Sequence, residues 1–213
     1  MTHTELVSVL ASAFRQRLPG VDAQAAMAPR PRRGWPSGFD AARVRPAAGL
    51  LLLFPIDDRP HVVLTVRSDR VRHSGQVSLP GGGVEPGETF EAAALREARE
   101  EVALVAPDVR LLGALTPLDI PVSGFRLHPI VAALDHRPRL RPSDEEVARI
   151  LEMPVATLLD PATVEWQPMV RDGLTMDVPA FVAEEATIWG ATAMILAELL
   201  TMVGWTPPRY PRS

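Results

Sequence analysis

Three glutamates in the middle of the chain, Glu97, Glu100 and Glu101, have the spacing that places side chains on one face of a helix. Positions i, i+3 and i+4 lie on neighbouring turns, and like charges there destabilise a helix by about 0.2–0.5 kcal/mol per pair. The glutamates also fall in the later turns of the predicted helix, near the negative end of its dipole, where carboxylates are disfavoured. A divalent cation would remove both penalties. Hard oxygen ligands suit Mg²⁺ or Mn²⁺, and Mg²⁺ is usually held by a few carboxylates together with water and substrate phosphates.

A glycine-rich segment precedes this helix. It favours a metal site over the alternative interpretation, a solvated helix face covered with charges. Three consecutive glycines at 81–83 allow the backbone to approach a ligand closely. Pro86 and Gly87 predict a turn, and Thr89 is placed to cap the helix. Backbone N–H and C=O groups of the loop would therefore lie beside the carboxylates.

The segment from Gly82 to Leu104 resembles the signature box of the Nudix hydrolases. The matching positions are Gly82, Glu88, Arg96, Glu97, Glu100, Glu101 and Leu104. Ala103 departs from the pattern, which has a glycine there to end the helix. The resemblance implies hydrolysis of a diphosphate bond linked to a nucleoside. It also implies an α/β/α sandwich, in which a mixed β-sheet lies between helices.

The resemblance assigns roles to individual residues. The implied metal ligands are the carboxylates of Glu97, Glu100 and Glu101 and the carbonyl of Gly81. Arg96 and Glu88 are implied to orient the loop and the helix. Because metal ions lower the pKa of bound water and neutralise developing charge, we expect a metal-polarised water to attack phosphorus without a covalent intermediate. The general base is left open among Glu97, Glu145, Glu146, Glu184 and Glu185.

A second group of side chains, upstream of the glycines, is basic. The run HVVLTVR at 61–67 alternates and is rich in β-branched residues, which predicts a strand that ends at Arg67. Arg70, Arg72 and His73 follow on the next loop, and guanidinium groups match phosphate oxygens, so the group would suit an anionic substrate. An ordinary basic surface loop is the alternative. The expected substrate contacts are Arg67, Arg70, Arg72, His73 and Gly82.

Three segments resemble the coenzyme A diphosphatases, a subgroup of the Nudix hydrolases: residues 64–82, residues 143–161 and residues 188–193. In the first segment Leu79 stands where phenylalanine is usual, and the spacing from Arg72 to Gly75 is one residue short. The resemblance implies cleavage of coenzyme A to phosphopantetheine and adenosine 3',5'-bisphosphate. The alternatives are a Nudix hydrolase for ADP-ribose or nucleoside triphosphates, and a non-catalytic effector-binding protein on the same fold.

Composition and charge narrow the class of protein. A net charge of -4 and a pI near 5.8 argue against non-specific binding of nucleic acid. The absence of cysteine excludes disulfides, thiolate metal sites and a cysteine nucleophile, and it fits a cytoplasmic enzyme, as does an N-terminus without the basic region of a secretory signal. Residues 186–205 are the most membrane-like stretch, but Glu198 lies inside it, so we predict a buried helix. The oligomeric state is left open, with a homodimer as one option.

The elements that must position these residues indicate a mixed α+β protein. Predicted strands lie near 49–54, 61–67, 109–116, 127–134, 164–170 and 175–181, and predicted helices near 4–18, 90–102, 155–159 and 187–202. Because strands outnumber helices and several are joined by short turns, we expect a mixed sheet flanked by helices. The expected domains are an N-terminal helix and Pro/Arg-rich connector (1–46), the Nudix hydrolase domain (47–205) and a C-terminal tail (206–213).

Overall fold

The part of the chain that the computed structural model describes, residues 1–208 except 33, 70–74, 106, 144, 172 and 185, contains five α-helices and eleven strands. In chain order they are α1 (His3–Ala13), α2 (Gly20–Ala25), β1 (Arg45–Ile56), β2 (Arg59–Arg67), β3 (Val77–Ser78), β4 (Gly81–Gly83), α3 (Phe90–Val102), β5 (Arg110–Ala114), β6 (Leu118–Ile120), β7 (Phe125–Ala133), β8 (Val147–Pro154), α4 (Val155–Leu159), β9 (Val164–Arg171), β10 (Leu174–Ala183), β11 (Ala186–Trp189) and α5 (Gly190–Met202). Two short 3-10 helices cover Ala41–Arg43 and Pro161–Thr163.

Strand β1 is the centre of the larger sheet, whose main path runs β3-β2-β1-β7-β5. It lies parallel to β7 and antiparallel to β2 and β4, so the sheet is mixed. Strand β8 pairs with β2 and β6 pairs with β7, while β9, β10 and β11 form a separate antiparallel sheet. Residues 50–54 of β1 are all buried, as expected for a strand that is covered on both faces.

Helices cover both faces of the larger sheet. Because side chains of a strand alternate between faces, Leu50 and Leu52 belong to a core with Ala98 of α3, whereas Leu51 and Leu53 belong to a second core with α1 and α5. The predicted fold class, a mixed sheet between helices, is thereby confirmed.

Two predicted helix boundaries are wrong, and six elements lie outside the prediction: α2, β3, β4, β6, β8 and β11. The helix expected from residue 187 begins only at Gly190, because residues 186–189 form β11 and the positive φ of Gly190, 66°, separates strand from helix. The first helix ends at Ala13 rather than near residue 18. Neither α2 nor β8 is predicted by the sequence pattern. In β8, Leu151 and Met153 are buried where the strand pairs with β2, so long-range pairing rather than local propensity fixes this strand.

The N-terminal residues 1–46 pack onto the rest of the protein. Leu6 and Leu10 of α1 and Met27 after α2 are fully buried in the same core as α5. Val9 of α1 is 43% exposed. The connector that follows joins β1 at Arg45, and its residues contribute to the cavity described below.

Helix α5 confirms the expectation of a buried C-terminal helix. Its Glu198 is completely buried and accepts hydrogen bonds from Gln24 Nε2 (2.8 Å) and Thr116 Oγ1 (2.7 Å), and from the backbone N–H groups of Gly20 and Thr116 (both 3.2 Å). Four donors offset the cost of burying the carboxylate. Over the described residues, no helix has the length and apolarity needed to cross a membrane. The cytoplasmic location stays a prediction.

Candidate active site

A cavity of about 690 Å³ lies between the glycine strand β4, the start of β1 and the start of α5. Its polar wall is formed by Arg67, Gly81, Gly82, Gly83, Glu97, Glu101 and Glu146. The opposite walls come from the connector, β6, β7, β10 and the first turns of α5. Thr192 holds the start of α5 against β3, because the Thr192 Oγ1 donates to the carbonyl of Val77 at 2.9 Å.

Helix α3 carries the predicted carboxylates, and its ends are set locally. Thr89 caps its start, since the Thr89 hydroxyl accepts from the N–H of Ala92 at 3.2 Å. At its end Ala103 takes a left-handed conformation with φ 53°, and its N–H donates to the Ala98 carbonyl. This is the position where the Nudix pattern has glycine. Alanine therefore ends the helix in the same way as glycine would, at a conformational cost of about 1 kcal/mol.

Glu97 and Glu101 are the two glutamates of α3 that line the cavity. Glu101 is only 6% exposed, and its Oε2 accepts from the N–H of Gly81 at 3.3 Å. Burial raises the pKa of Glu101 to about 7, and the charges of Glu146 and Glu97 act in the same direction. Burial also raises the pKa of Glu97, against the effect of its hydrogen bond with Arg96. The fold thus holds carboxylates where negative charge is unfavourable without a cation.

Glu100 has a different environment from the other two. Its side chain is 59% exposed, does not line the cavity, and accepts from Arg96 at 3.2 Å. Spacing places the three carboxylates along one helix face, but only two of them reach the cavity. Within the described residues, no three histidine or carboxylate side chains are already arranged as a metal-binding group. The hard oxygen donors of Glu97 and Glu101 nevertheless fit a divalent cation, since burial disfavours both side chains as anions.

Arg96 connects the helix to the glycine loop. Its guanidinium donates to both carboxylate oxygens of Glu88 (3.0 and 3.1 Å), to the carbonyl of Gly83 (2.9 Å) and to Glu97 (2.8 Å). Glu88 in turn accepts from the N–H of Glu85 at 3.1 Å, and the hydrogen bond from Arg96 lowers the pKa of Glu88. Arg96 and Glu88 therefore lie where they can orient the loop relative to α3.

Gly82 has a steric reason to be glycine. A Cβ at this position would lie 2.5 Å from the Glu97 carboxylate, so the absence of a side chain lets that carboxylate lie against the backbone of β4. At Gly81 a Cβ would lie 2.4 Å from the carbonyl oxygen of Ala48 in β1. A Cβ at Gly83 would meet nothing within 4 Å.

This contrast makes Gly82→Ala a test of how Glu97 is positioned. We expect kcat to fall by about 10²-fold, because a catalytic group displaced by about 1 Å can lose that much. Stability should change by less than about 1 kcal/mol, since the neighbour that must move is the end of a flexible side chain. Steady-state kinetics and urea unfolding measure both effects. Gly83→Ala is the matched control, and equal loss of activity in both variants would contradict the steric explanation.

The predicted basic group lies only partly within the described residues. Arg67 ends β2 and lines the cavity, and its carbonyl accepts from the N–H of Gly75 at 3.0 Å. Arg70, Arg72 and His73 lie outside the described residues. Leu79, at the position where phenylalanine is usual in coenzyme A diphosphatases, lines the cavity and is 6% exposed.

The candidates for the general base differ in whether they line the cavity. Glu97 and Glu146 line the cavity, whereas Glu145 and Glu184 are exposed outside it and Glu185 lies outside the described residues. The loop with Glu146 is fixed to the end of β2, because the N–H of Ser68 donates to the Glu146 carbonyl at 2.9 Å.

The sequence analysis did not predict several residues in the walls opposite the carboxylates. Arg32, Arg45 and Asp119 line the cavity, together with Met194 and Ile195 of α5. They come from segments distant in sequence, and their types and spacing carry no local signal of a shared site.

A mixed sheet between helices, with a glycine strand and helical glutamates around one cavity, defines the Nudix class of hydrolases. Residues 43–172 match the family model described as the NUDIX domain. The chain is 38% identical over 151 residues to the uncharacterized Nudix hydrolase NudL of Citrobacter koseri, covering 70% of this chain and 78% of that one. To NudL of Yersinia enterocolitica it is 40% identical over 156 residues, covering 71% and 80%. The protein therefore belongs to the Nudix family and is a hydrolase, a family whose members generally use divalent metal ions.

A solved structure shows the same fold. The Nudix hydrolase RenU of M. smegmatis superimposes with a TM-score of 0.53 at 20% identity, covering 79% of this chain and 90% of that one. At this identity the likeness shows the fold alone.

Proposed function

We propose that the protein is a metal-dependent diphosphatase that cleaves coenzyme A to phosphopantetheine and adenosine 3',5'-bisphosphate. The observation that carries the proposal is the form of the cavity, which joins carboxylates at one end to a long apolar wall. The apolar residues are Leu118, Ile120, Leu127, Met176, Val178, Met194 and Ile195. A volume of about 690 Å³ lies within the range of small-molecule sites, about 300–1,000 Å³. A substrate with a nucleotide, a diphosphate and a flexible arm suits such a cavity.

The proposed metal ligands are Glu97, Glu101, the Gly81 carbonyl and the exposed carboxylate of Glu100. Binding would exchange the hydrogen bond between Arg96 and Glu97 for a bond to Mg²⁺ or Mn²⁺. The bound ion supplies Lewis-acid activation of water and neutralises charge on the departing phosphate. Arg67 holds a phosphate oxygen from the end of β2, and Arg70, Arg72 and His73 are proposed as further phosphate contacts.

Glu146 is the proposed acceptor of the proton from the attacking water. It lines the same cavity as Glu97 and Glu101 but lies on a separate loop, and it is exposed. An exposed carboxylate outside the helix retains a free oxygen when Glu97 and Glu101 are engaged with the cation. For that reason it makes a better base than a carboxylate bound to metal.

Incubation of the purified protein with Mg²⁺ and coenzyme A, ADP-ribose or ATP in parallel tests the substrate. We expect coenzyme A to be cleaved with a kcat/KM at least about 10-fold above the others, because its flexible arm, which ADP-ribose and ATP lack, would add contacts with the apolar wall. Chromatography and mass spectrometry identify the products. Cleavage of ADP-ribose with coenzyme A left intact would refute coenzyme A as the substrate. Binding without cleavage of any compound would favour an effector-binding protein. A parallel reaction with EDTA identifies background hydrolysis.

A further inference from the structure

The N-terminal connector forms part of the cavity wall. Backbone hydrogen bonds between Arg30 and Asp177 (2.8 and 2.9 Å) fix the connector to β10. Further along, Trp35 Nε1 donates to Asp119 of β6 at 3.3 Å. Arg32 lies between these two attachment points and lines the cavity. The connector thus contributes a charged side chain to a wall that is otherwise largely apolar.

Arg45 contributes a second guanidinium from the floor of the cavity. It is the first residue of β1, and Ala47 and Gly49, on the same face of this strand, also line the cavity. Gly49 pairs with Gly81 in β4, at the end with the carboxylates. Four strand residues at about 3.3 Å each place the Cα of Arg45 about 13 Å from that of Gly49. The guanidinium of Arg45 lies 4.1 Å from the centre of the Phe125 ring and donates to the Ser123 carbonyl at 3.2 Å, which orients it.

Charge differs between the two ends of the cavity. At the β4 end, Glu97, Glu101 and Glu146 outnumber Arg67. At the far end, the lining carboxylate among the described residues is Asp119. Arg126 donates to both of its oxygens (2.7 and 3.2 Å), and this contact lowers the pKa of Asp119.

Arg32 and Arg45 therefore leave the far end positively charged. Neither forms an ion pair with a carboxylate in the part of the chain that the structure describes. Arg32 acts on Asp119 through its charge and helps to lower the pKa of that carboxyl, but neither guanidinium is bound to a carboxylate of the described residues.

We propose that Arg32 and Arg45 form a binding site for a phosphate monoester, separate from the diphosphate-binding end, and that this site selects nucleotides with a phosphate on the ribose. Both side chains are exposed to solvent, and their guanidinium forks match phosphate oxygens. The identity of the nucleotide rests on the proposed function: in coenzyme A the group would be the 3'-phosphate. Arg32 lies ahead of the segment that matches the family, residues 43–172, so the connector would contribute to specificity.

Binding of two unreactive nucleotides tests this site without turnover. Isothermal titration calorimetry at fixed Mg²⁺ compares adenosine 3',5'-bisphosphate with adenosine 5'-monophosphate, which differ by one phosphate. We expect the wild-type protein to bind the bisphosphate at least about 10-fold more tightly. Arg32→Ala and Arg45→Ala should each reduce that preference by about 10-fold and leave the affinity for the monophosphate within about 2-fold.

Arg43→Ala is the matched control, because Arg43 is an exposed arginine of the same segment that does not line the cavity. It should keep the full preference. Equal wild-type affinity for the two nucleotides, no measurable affinity for either, or an unchanged preference in both variants would overturn the phosphate site. Loss of affinity for both nucleotides alike would overturn it too, since that result indicates general disruption. A retained preference in a protein that fails to cleave coenzyme A would refute the proposed function and leave the phosphate site standing.

Discussion

Replacement of Glu101 by glutamine is expected to lower kcat by about 10³-fold or more. Glutamine keeps the shape of the side chain and can still accept the hydrogen bond from the Gly81 N–H, so the fold should be retained. It removes the negative charge that the proposed Mg²⁺ site requires and with it much of the stabilisation of charge in the transition state. Steady-state kinetics with the proposed substrate, coenzyme A, measure the loss. Calorimetric titration with Mg²⁺ should show weaker metal binding in the same variant.

Glu91→Gln is the matched control for this variant. Glu91 is an exposed glutamate in the first turn of the same helix and lies outside the cavity lining. Its replacement should leave kcat within about 2-fold, as for most surface substitutions away from a site. A Glu101→Gln enzyme with unchanged kcat and Mg²⁺ affinity would refute the metal assignment.

The second large effect concerns stability without metal. Burial raises the pKa of Glu101 from its usual value of 4.5 to about 7, so between these values the folded state binds more protons than the unfolded state. The contribution of Glu101 to the free energy of unfolding is therefore greatest below about pH 4.5 and falls as the pH rises towards 7. The difference amounts to about 3 kcal/mol. We expect Glu101→Gln to be more stable than the wild-type protein by this order at pH 8, and by little at pH 5.

Urea unfolding in EDTA at pH 5 and pH 8 measures this difference directly. Comparing the two proteins removes the contributions of all other titrating groups, which the variants share. Addition of Mg²⁺ at pH 8 should stabilise the wild-type protein, because a ligand that binds the folded state shifts the equilibrium towards it, and should have less effect on the variant. A stability difference that is the same at both pH values would show that burial does not raise the pKa of Glu101.

Much of the site could be predicted because its signals are local. Helix α3 begins and ends where the sequence predicts, at Phe90 and Val102, because Thr89 caps it and its apolar residues repeat at helical spacing. The glycines of β4 lie beside the carboxylates as expected, since few residues separate them along the chain. The central strands were equally predictable, as their apolar runs are long enough to stand out from the surrounding turns.

Other features were decided by contacts between distant segments. Residues 147–154 form a strand because β2 offers an unpaired edge, and the short strand β11 exists through pairing with β10. Of three glutamates with equivalent sequence signals, tertiary packing buries Glu101 and leaves Glu100 exposed to solvent. Helical spacing predicts that the three glutamates share one face of the helix. It does not predict which of them points into the cavity.

The sequence by itself determined the chemistry: the glutamates, the glycine loop and the family to which they belong. Only the tertiary structure decided the cavity, because its walls join the connector, the sheet and α5. It also decided where charge lies, bringing Arg32 and Arg45 into the lining of the same cavity as the carboxylates. The physical reason is range. Helix capping and strand alternation depend on neighbouring residues, whereas burial and the electrostatic field of a cavity depend on every segment that folds around it.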